Sequence, residues 1–250
     1  MNKKELIKEI TYIPFRVVYF IVYILVYLFL ILLPIIFFFG AFGFIFSYGL
    51  GLTYWQTAII LVLSLVGSAV NIPVTEMVQY EPVVTERYVS YMGIVWAIPS
   101  LSYKREKTII AVNLGGCLIP VIVSLYLLFD LAITGLFFDI AKILLAILIN
   151  SLLIHAVARP IKGVGIATPG LIPPLFTVIL TVLLGPIGTY TNPFIMAYVT
   201  GTFGTLIGAD IMNLKKIPEI GAPVASIGGA GTFDGVFLTG IFSVLLLLML

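Results

Sequence analysis

The 250 residues are 61% hydrophobic and 10% charged, with a mean hydropathy of +1.21. A soluble globular chain carries about 25% charged residues, so water-soluble enzymes are excluded. The net charge of +2 is too small for a nucleic-acid partner. A single cysteine, Cys117, and a single histidine, His155, exclude a disulfide framework and the usual His/Cys zinc site. No cofactor is expected.

Seven apolar runs follow in chain order: Val17 to Phe39, Tyr54 to Pro73, Thr108 to Phe129, Ile140 to Val157, Leu171 to Ile187, Pro193 to Met212 and Asp234 to Leu250. Crossing a bilayer takes roughly 20 apolar residues per helix. The expected fold is therefore all-α: one polytopic transmembrane domain over residues 1–250, with seven helices. The first run follows Lys3, Lys4 and Lys8 but is too long for a signal-peptide core, so it reads as an uncleaved anchor. Cations are retained on the cytoplasmic side. With the N-terminus inside, twelve of the thirteen cations fall in cytoplasmic segments. The exception, Lys142, stands three residues after Asp139 near the outer end of the fourth span, where the two can pair as helical neighbours. The expected location is the cell membrane, multi-pass, with membrane lipids as partners.

Two connections exceed a simple turn. Residues 74–107 mix β-branched and aromatic residues with charges, around Glu81 to Met92, and suggest a short cytoplasmic hairpin. Residues 213–233 begin charged and end in an uncharged glycine-rich stretch, Gly221 to Thr232. Backbone so apolar belongs inside protein or along a water-filled cavity rather than against lipid.

Ionisable groups at membrane depth are candidate functional groups by default. Asp210 closes the sixth span and Asp234 opens the seventh, so the topology puts both carboxylates at the cytoplasmic border. Two carboxylates close together in low dielectric share a proton, one acting as base towards water and the other as acid. Alternatively each caps a helix or pairs with Lys215, Lys216 or Arg159, or the two couple ions or protons in a transporter. Asp234 suits an N-cap, whereas an anion at a helix C-terminus, as at Asp210, opposes the macrodipole. Gly201, Gly204, Thr205 and Gly208 form a small-residue stripe suited to close packing. On an unbroken α-helix Asp210 falls roughly opposite Gly201, at about 100° per residue.

On the fourth span Ser151, His155 and Arg159 recur every four residues, with Asn150 to the side. A Ser151/His155 hydrolase lacks a third orienting group; organising polar backbone or holding an anion suits His155 and Arg159 better. Asn71 and Asn113 fit amides that satisfy neighbouring backbone. Gly115 and Gly116 would admit a neighbouring helix closely.

The segments Ala158 to Ile166 (Ala-Arg-Pro-Ile-Lys-Gly-Val-Gly-Ile) and Ser226 to Gly240 (Ser-Ile-Gly-Gly-Ala-Gly-Thr-Phe-Asp-Gly-Val-Phe-Leu-Thr-Gly) resemble a prokaryotic family of multi-pass membrane proteins of unknown function. That resemblance implies architecture and no activity. A looser likeness is to presenilin-type intramembrane aspartyl proteases, which carry one Asp late in the sixth span and another in a Gly-x-Gly-Asp motif opening the seventh. Mapped so, Asp210 and Asp234 take the two catalytic roles, with Gly229 and Gly231 at the glycine positions. This chain departs from the pattern: Thr232 and Phe233 separate Gly231 from Asp234, Ala209 precedes Asp210 where presenilins have Tyr, and no Pro-Ala-Leu motif follows.

The leading expectation is a membrane-embedded aspartyl protease acting on transmembrane or peptide substrates through Asp210 and Asp234. The competing expectation is a carrier or channel for a small anion or lipid headgroup. Its site would be a backbone nest at Gly228, Gly229 and Gly231, with charge from His155 and Arg159 and support from Asn150, Asn113 and Asn71. The third is a non-catalytic membrane subunit.

Overall fold

The computed structural model describes residues 3–161, 165–188, 191–217, 221–229 and 235–250. It divides into two units, residues 1–44 and 45–250. The first is a single helix, α1 (Lys3–Phe44), apolar all round from Val18 to Leu33. The second holds α2 (Tyr54–Gly67), β1 (Asn71–Tyr91), β2 (Ile94–Asn113), α3 (Ile119–Ile133), α4 (Phe137–Val157), β3 (Arg159–Ile161), β4 (Gly165–Ala167), α5 (Ile172–Leu184), α6 (Pro193–Thr205), β5 (Val224–Ile227) and α7 (Gly235–Leu248).

The all-α seven-span bundle does not form. Among the described residues three helices are long and apolar enough to cross a membrane: Leu114–Ile133, Phe137–Val157 and Pro193–Lys216. The helices Tyr54–Gly67, Ile172–Leu184 and Gly235–Leu248 are apolar but shorter. The expected second and third spans lose their loop-side ends to β-structure. Asn71-Ile-Pro-Val-Thr and Thr108-Ile-Ile-Ala-Val are β-branched runs that hydropathy counts as helix but whose stiff χ1 angles favour strands.

Those ends extend the expected short hairpin into a long antiparallel ribbon, paired from Asn71↔Asn113 to Tyr91↔Ile94. At about 3.4 Å per residue it reaches roughly 65 Å. Met92 and Gly93, both at positive φ (51° and 77°), make the two-residue turn at its tip. At its base β5 pairs parallel to β2, Ile109↔Val224 to Val112↔Ile227. Ile110 and Ile217 form a small core there, with Met77, Leu214 and Ile227 packed on them. β3 and β4 form a separate two-stranded sheet.

Local sequence starts the helices. Thr53 and Gln56 form a capping box on α2. Asn192 caps α6 by accepting from the Phe194 and Ile195 N–H groups at 2.9 and 3.4 Å, with Pro193 in the first turn. α6 is the central helix. Ten of its residues are buried, and α4 and α7 pack along it.

Candidate functional site

Glycine decides how closely α6 meets its neighbours. A Cβ on Gly204 would come 2.4 Å from Asn150 Nδ2, and one on Gly208 would come 2.3 Å from the Ser151 carbonyl oxygen, both on α4. On the α7 side, a Cβ on Gly201 would come 3.1 Å from Ser243 Oγ. From α7, one on Gly240 would come 2.6 Å from Thr202 Oγ1. The small-residue stripe thus makes two close seams.

The rod does not end at Asp210. After α6 it continues through a π-turn, Leu206–Asp210, and a 3-10 turn, Ile211–Lys216, closing on Lys215 and Lys216. Asp210 is therefore interior to the rod, and the cations, not the carboxylate, meet its negative end. A π-turn takes in one residue more than an α-turn, which sets everything beyond it back by about 100°. Asp210, expected opposite Gly201, is carried round to the side of Gly201 and Thr205. It is partly buried.

His155 lies in the last turn of α4 and is half-buried. Its Nδ1 stands 3.1 Å from Asn213 Nδ2. That nitrogen also donates to the Gly208 and Ala209 carbonyls, at 3.2 and 2.9 Å, while Lys216 Nζ donates to the amide oxygen at 2.9 Å. With the amide so oriented, Nδ1 accepts and Nε2 carries the proton. Asn213, wholly buried, thus bridges α4, the π-turn and Lys216. Asn213 is not among the candidate residues that the sequence marks, although it lies three residues after Asp210.

The Ser151/His155 pairing is not made: Ser151 Oγ donates to the Ile147 carbonyl at 2.6 Å. Arg159 is exposed on β3, paired in register with Ala167. Asn150 Nδ2 donates to Thr177 Oγ1 at 2.9 Å and to the Thr200 carbonyl at 3.2 Å, tying α4 to α5 and α6.

Asn71 and Asn113 meet at the foot of the ribbon. Asn113 Nδ2 donates to the Ser68 carbonyl at 2.8 Å and to Asn71 Oδ1 at 3.0 Å, and its oxygen accepts from Gly116 N–H at 2.7 Å. It thereby caps a second π-turn, Leu114–Leu118. Ser226 on β5 donates to Asn71 Oδ1 at 2.5 Å. Gly115 lies against α2, where a Cβ would come 2.0 Å from the Ser64 oxygen.

Of the glycine-rich stretch residues 221–229 are described: Gly228 is buried, while Gly221, Pro223 and Val224 are exposed. Gly228 and Gly229 both have positive φ (86° and 94°), and Gly228 is packed on Cys117. No hydrogen bond among the described residues joins Gly228 or Gly229 to His155 or Arg159. Gly231 and Asp234 lie outside the described residues. The next residue, Gly235, is described: it opens α7, and a Cβ there would be 3.8 Å from Thr205 Cγ2 and from Thr168 Oγ1.

At the opposite end of α4, Asp139 and Lys142 pair at 3.1 Å, as their spacing suggested. Asp139 borders a cavity of about 430 Å³ lined by Tyr48, Leu131, Leu136, Asn192, Pro193 and Phe194.

A family profile described as "Protein of unknown function (DUF1614)" matches residues 65–246. No curated protein and no solved structure matches the chain.

Proposed function

The chain belongs to the DUF1614 family, and from that premise we propose that it is a multi-pass cell-membrane aspartyl protease whose catalytic pair is Asp210 and Asp234. One observation carries the reading. The π-turn sets Asp210 round to the Thr205 side of the rod, and α7 opens beside Thr205 at Gly235, the residue that follows Asp234. On this reading Asp210 and Asp234 share one proton between them, as two carboxylates close together in low dielectric do. The ionised member takes a proton from water as the oxygen attacks the scissile carbonyl. The protonated member gives its proton to the leaving amine. The neighbouring Asn213–His155–Lys216 contacts fix the backbone at Gly208 and Ala209, so Asp210 is held by a rigid support. The orientation follows the cations, with the N-terminal end inside.

The test is cleavage of membrane-spanning peptides by purified protein in detergent, comparing the native chain with Asp210→Asn and Asp234→Asn. Each variant is expected to lose at least about a hundredfold in rate, with an unchanged gel-filtration profile. Undiminished cleavage by either variant, or no cleavage by the native chain, overturns the proposal.

A further inference from the structure

The ribbon of β1 and β2 carries its charge in one half. Between Asn71 and Asn113 every charged residue, four acids and four cations, precedes Tyr88 or follows Tyr103. The last four pairs before the turn, Tyr88↔Ala97 to Tyr91↔Ile94, therefore make an uncharged tip about 14 Å long. Residues directly opposite share a face, and successive pairs alternate between faces. Tyr91 with Ile94 and Val89 with Trp96 stand on one face, Tyr88 with Ala97 and Ser90 with Val95 on the other. The tip is thus apolar on both sides. Tyr88, Tyr91, Ile94, Val95 and Trp96 are each more than half exposed, and Met92 at the turn is 85% exposed. A two-stranded ribbon is marginally stable in water by itself. Among the described residues β5 joins it only at the foot, from Ile109↔Val224 to Val112↔Ile227, so the tip calls for another cover.

Two features narrow what that cover is. A protein docked flat on the ribbon would cover one face and leave the other wet. A further strand added to either edge would meet proline. Tyr91 and Ile94 bond each other across the two-residue turn, and alternation from there puts Pro82 and Pro99 at pairs whose N–H positions face outward, one on each edge. Both edges are blunted against pairing. A bilayer interface, by contrast, surrounds both faces at once.

We propose that the tip of the ribbon is a surface anchor, set into the headgroup region of the bilayer that holds the chain's own spans, with Trp96 where the acyl chains begin. The foot already stands at that border: Asn113 precedes the span Leu114–Ile133. For a ribbon of roughly 65 Å, a tilt of less than about 10° sets the tip 5–10 Å below the surface. The depth is bounded. Unpaired N–H and C=O groups along the tip's edges cannot be left in hydrocarbon, and Glu86 and Arg87 follow directly behind Tyr88. Trp and Tyr favour the interface, with the ring in the apolar layer and the polar atom at its wet side. Tyr88 has that form, for its hydroxyl donates back to Glu86 Oε2 at 2.9 Å. Because acids and cations balance along the ribbon, apolar burial holds the tip and an uncharged lipid suffices. The anchor does not depend on what Asp210 and Asp234 do.

The test uses the chain's two tryptophans, Trp55 and Trp96. Full-length Trp55→Phe protein is placed in nanodiscs of phosphatidylcholine brominated near the headgroup end of its acyl chains, and Trp96 emission is compared with that in unbrominated discs. A loss of about half or more is expected. Met92→Asp is expected to cut that quenching about threefold, because a carboxylate resists leaving water, whereas Met92→Asn retains it. Both replacements tolerate the positive φ at the turn, so the pair differs in charge and not in backbone strain. If Trp55→Phe does not fold, a fluorophore on Ser90→Cys in a Cys117→Ala background reports in its place. Unquenched emission, quenching only by brominated vesicles added to unbrominated discs, or equal quenching in the Met92→Asp and Met92→Asn proteins overturns the anchor. None of these arms reads peptide cleavage, so a failed cleavage assay and a free tip are separate results.

Discussion

Lys142 Nζ lies 3.1 Å from the carboxylate of Asp139, one turn earlier on α4, and both side chains are almost fully buried. The pair is also a clamp. Lys142 donates to the Gly185 and Ile187 carbonyls at 3.1 and 3.0 Å, and Asp139 accepts from Thr191 Oγ1 at 2.7 Å. It therefore ties the end of α5 and the approach to α6 onto α4.

Removing one partner of such a pair leaves a buried charge uncompensated, at a cost of about 3–5 kcal/mol. Lys142→Met is expected to destabilise by that amount in denaturant titration of the detergent-solubilised protein. Adding Asp139→Asn is expected to recover most of the loss. A double variant no more stable than the single one would refute the clamp.

Asn113 makes three hydrogen bonds from a fully buried position. Asn113→Leu strands the Gly116 N–H and the Ser68 carbonyl, for about 2–4 kcal/mol. Loss of amide protection from hydrogen exchange should concentrate at Gly116 and the ends of the ribbon.

Gly208→Ala sets a methyl group against the Ser151 backbone, which cannot step aside. A loss of about 1–3 kcal/mol is expected. Gly170→Ala, with nothing within 4 Å, is expected to stay within about 0.5 kcal/mol of native. Comparing melting temperatures of the two variants checks the claim that α4 and α6 touch through glycine.

The ion pair Lys107–Glu76 spans the ribbon at 3.1 Å, but both side chains are more than half exposed. Lys107→Ala is expected to change stability by less than about 1 kcal/mol. A larger loss in the same titration would mean that this stretch of ribbon is covered by something else.

Membrane character was legible because scarcity of charge makes each charged residue informative. The Asp139–Lys142 pair needed only helical spacing. The extent of the ribbon was not legible: Thr108 to Val112 is as apolar as a helix, and periodicity cannot separate a short buried strand from a helical end. The π-turn before Asp210 was not legible for a different reason. Counting at 100° per residue assumes one unbroken hydrogen-bond pattern, and nothing in Leu206 to Asp210 announces a wider turn. Asn213 went unmarked because an amide after a span looks like a loop residue until the rod is seen to continue to Lys216.

The parallel pairing of β2 with β5 also orders events in time. Ile109 and Val224 stand more than a hundred residues apart in the chain. At a synthesis rate of about 5–20 residues per second, the edge of β2 from Ile109 to Val112 emerges on the order of ten seconds before the strand that completes it. A nascent chain thus carries an open sheet edge through most of its insertion, and a chaperone that shields strand edges would act on this protein in that interval.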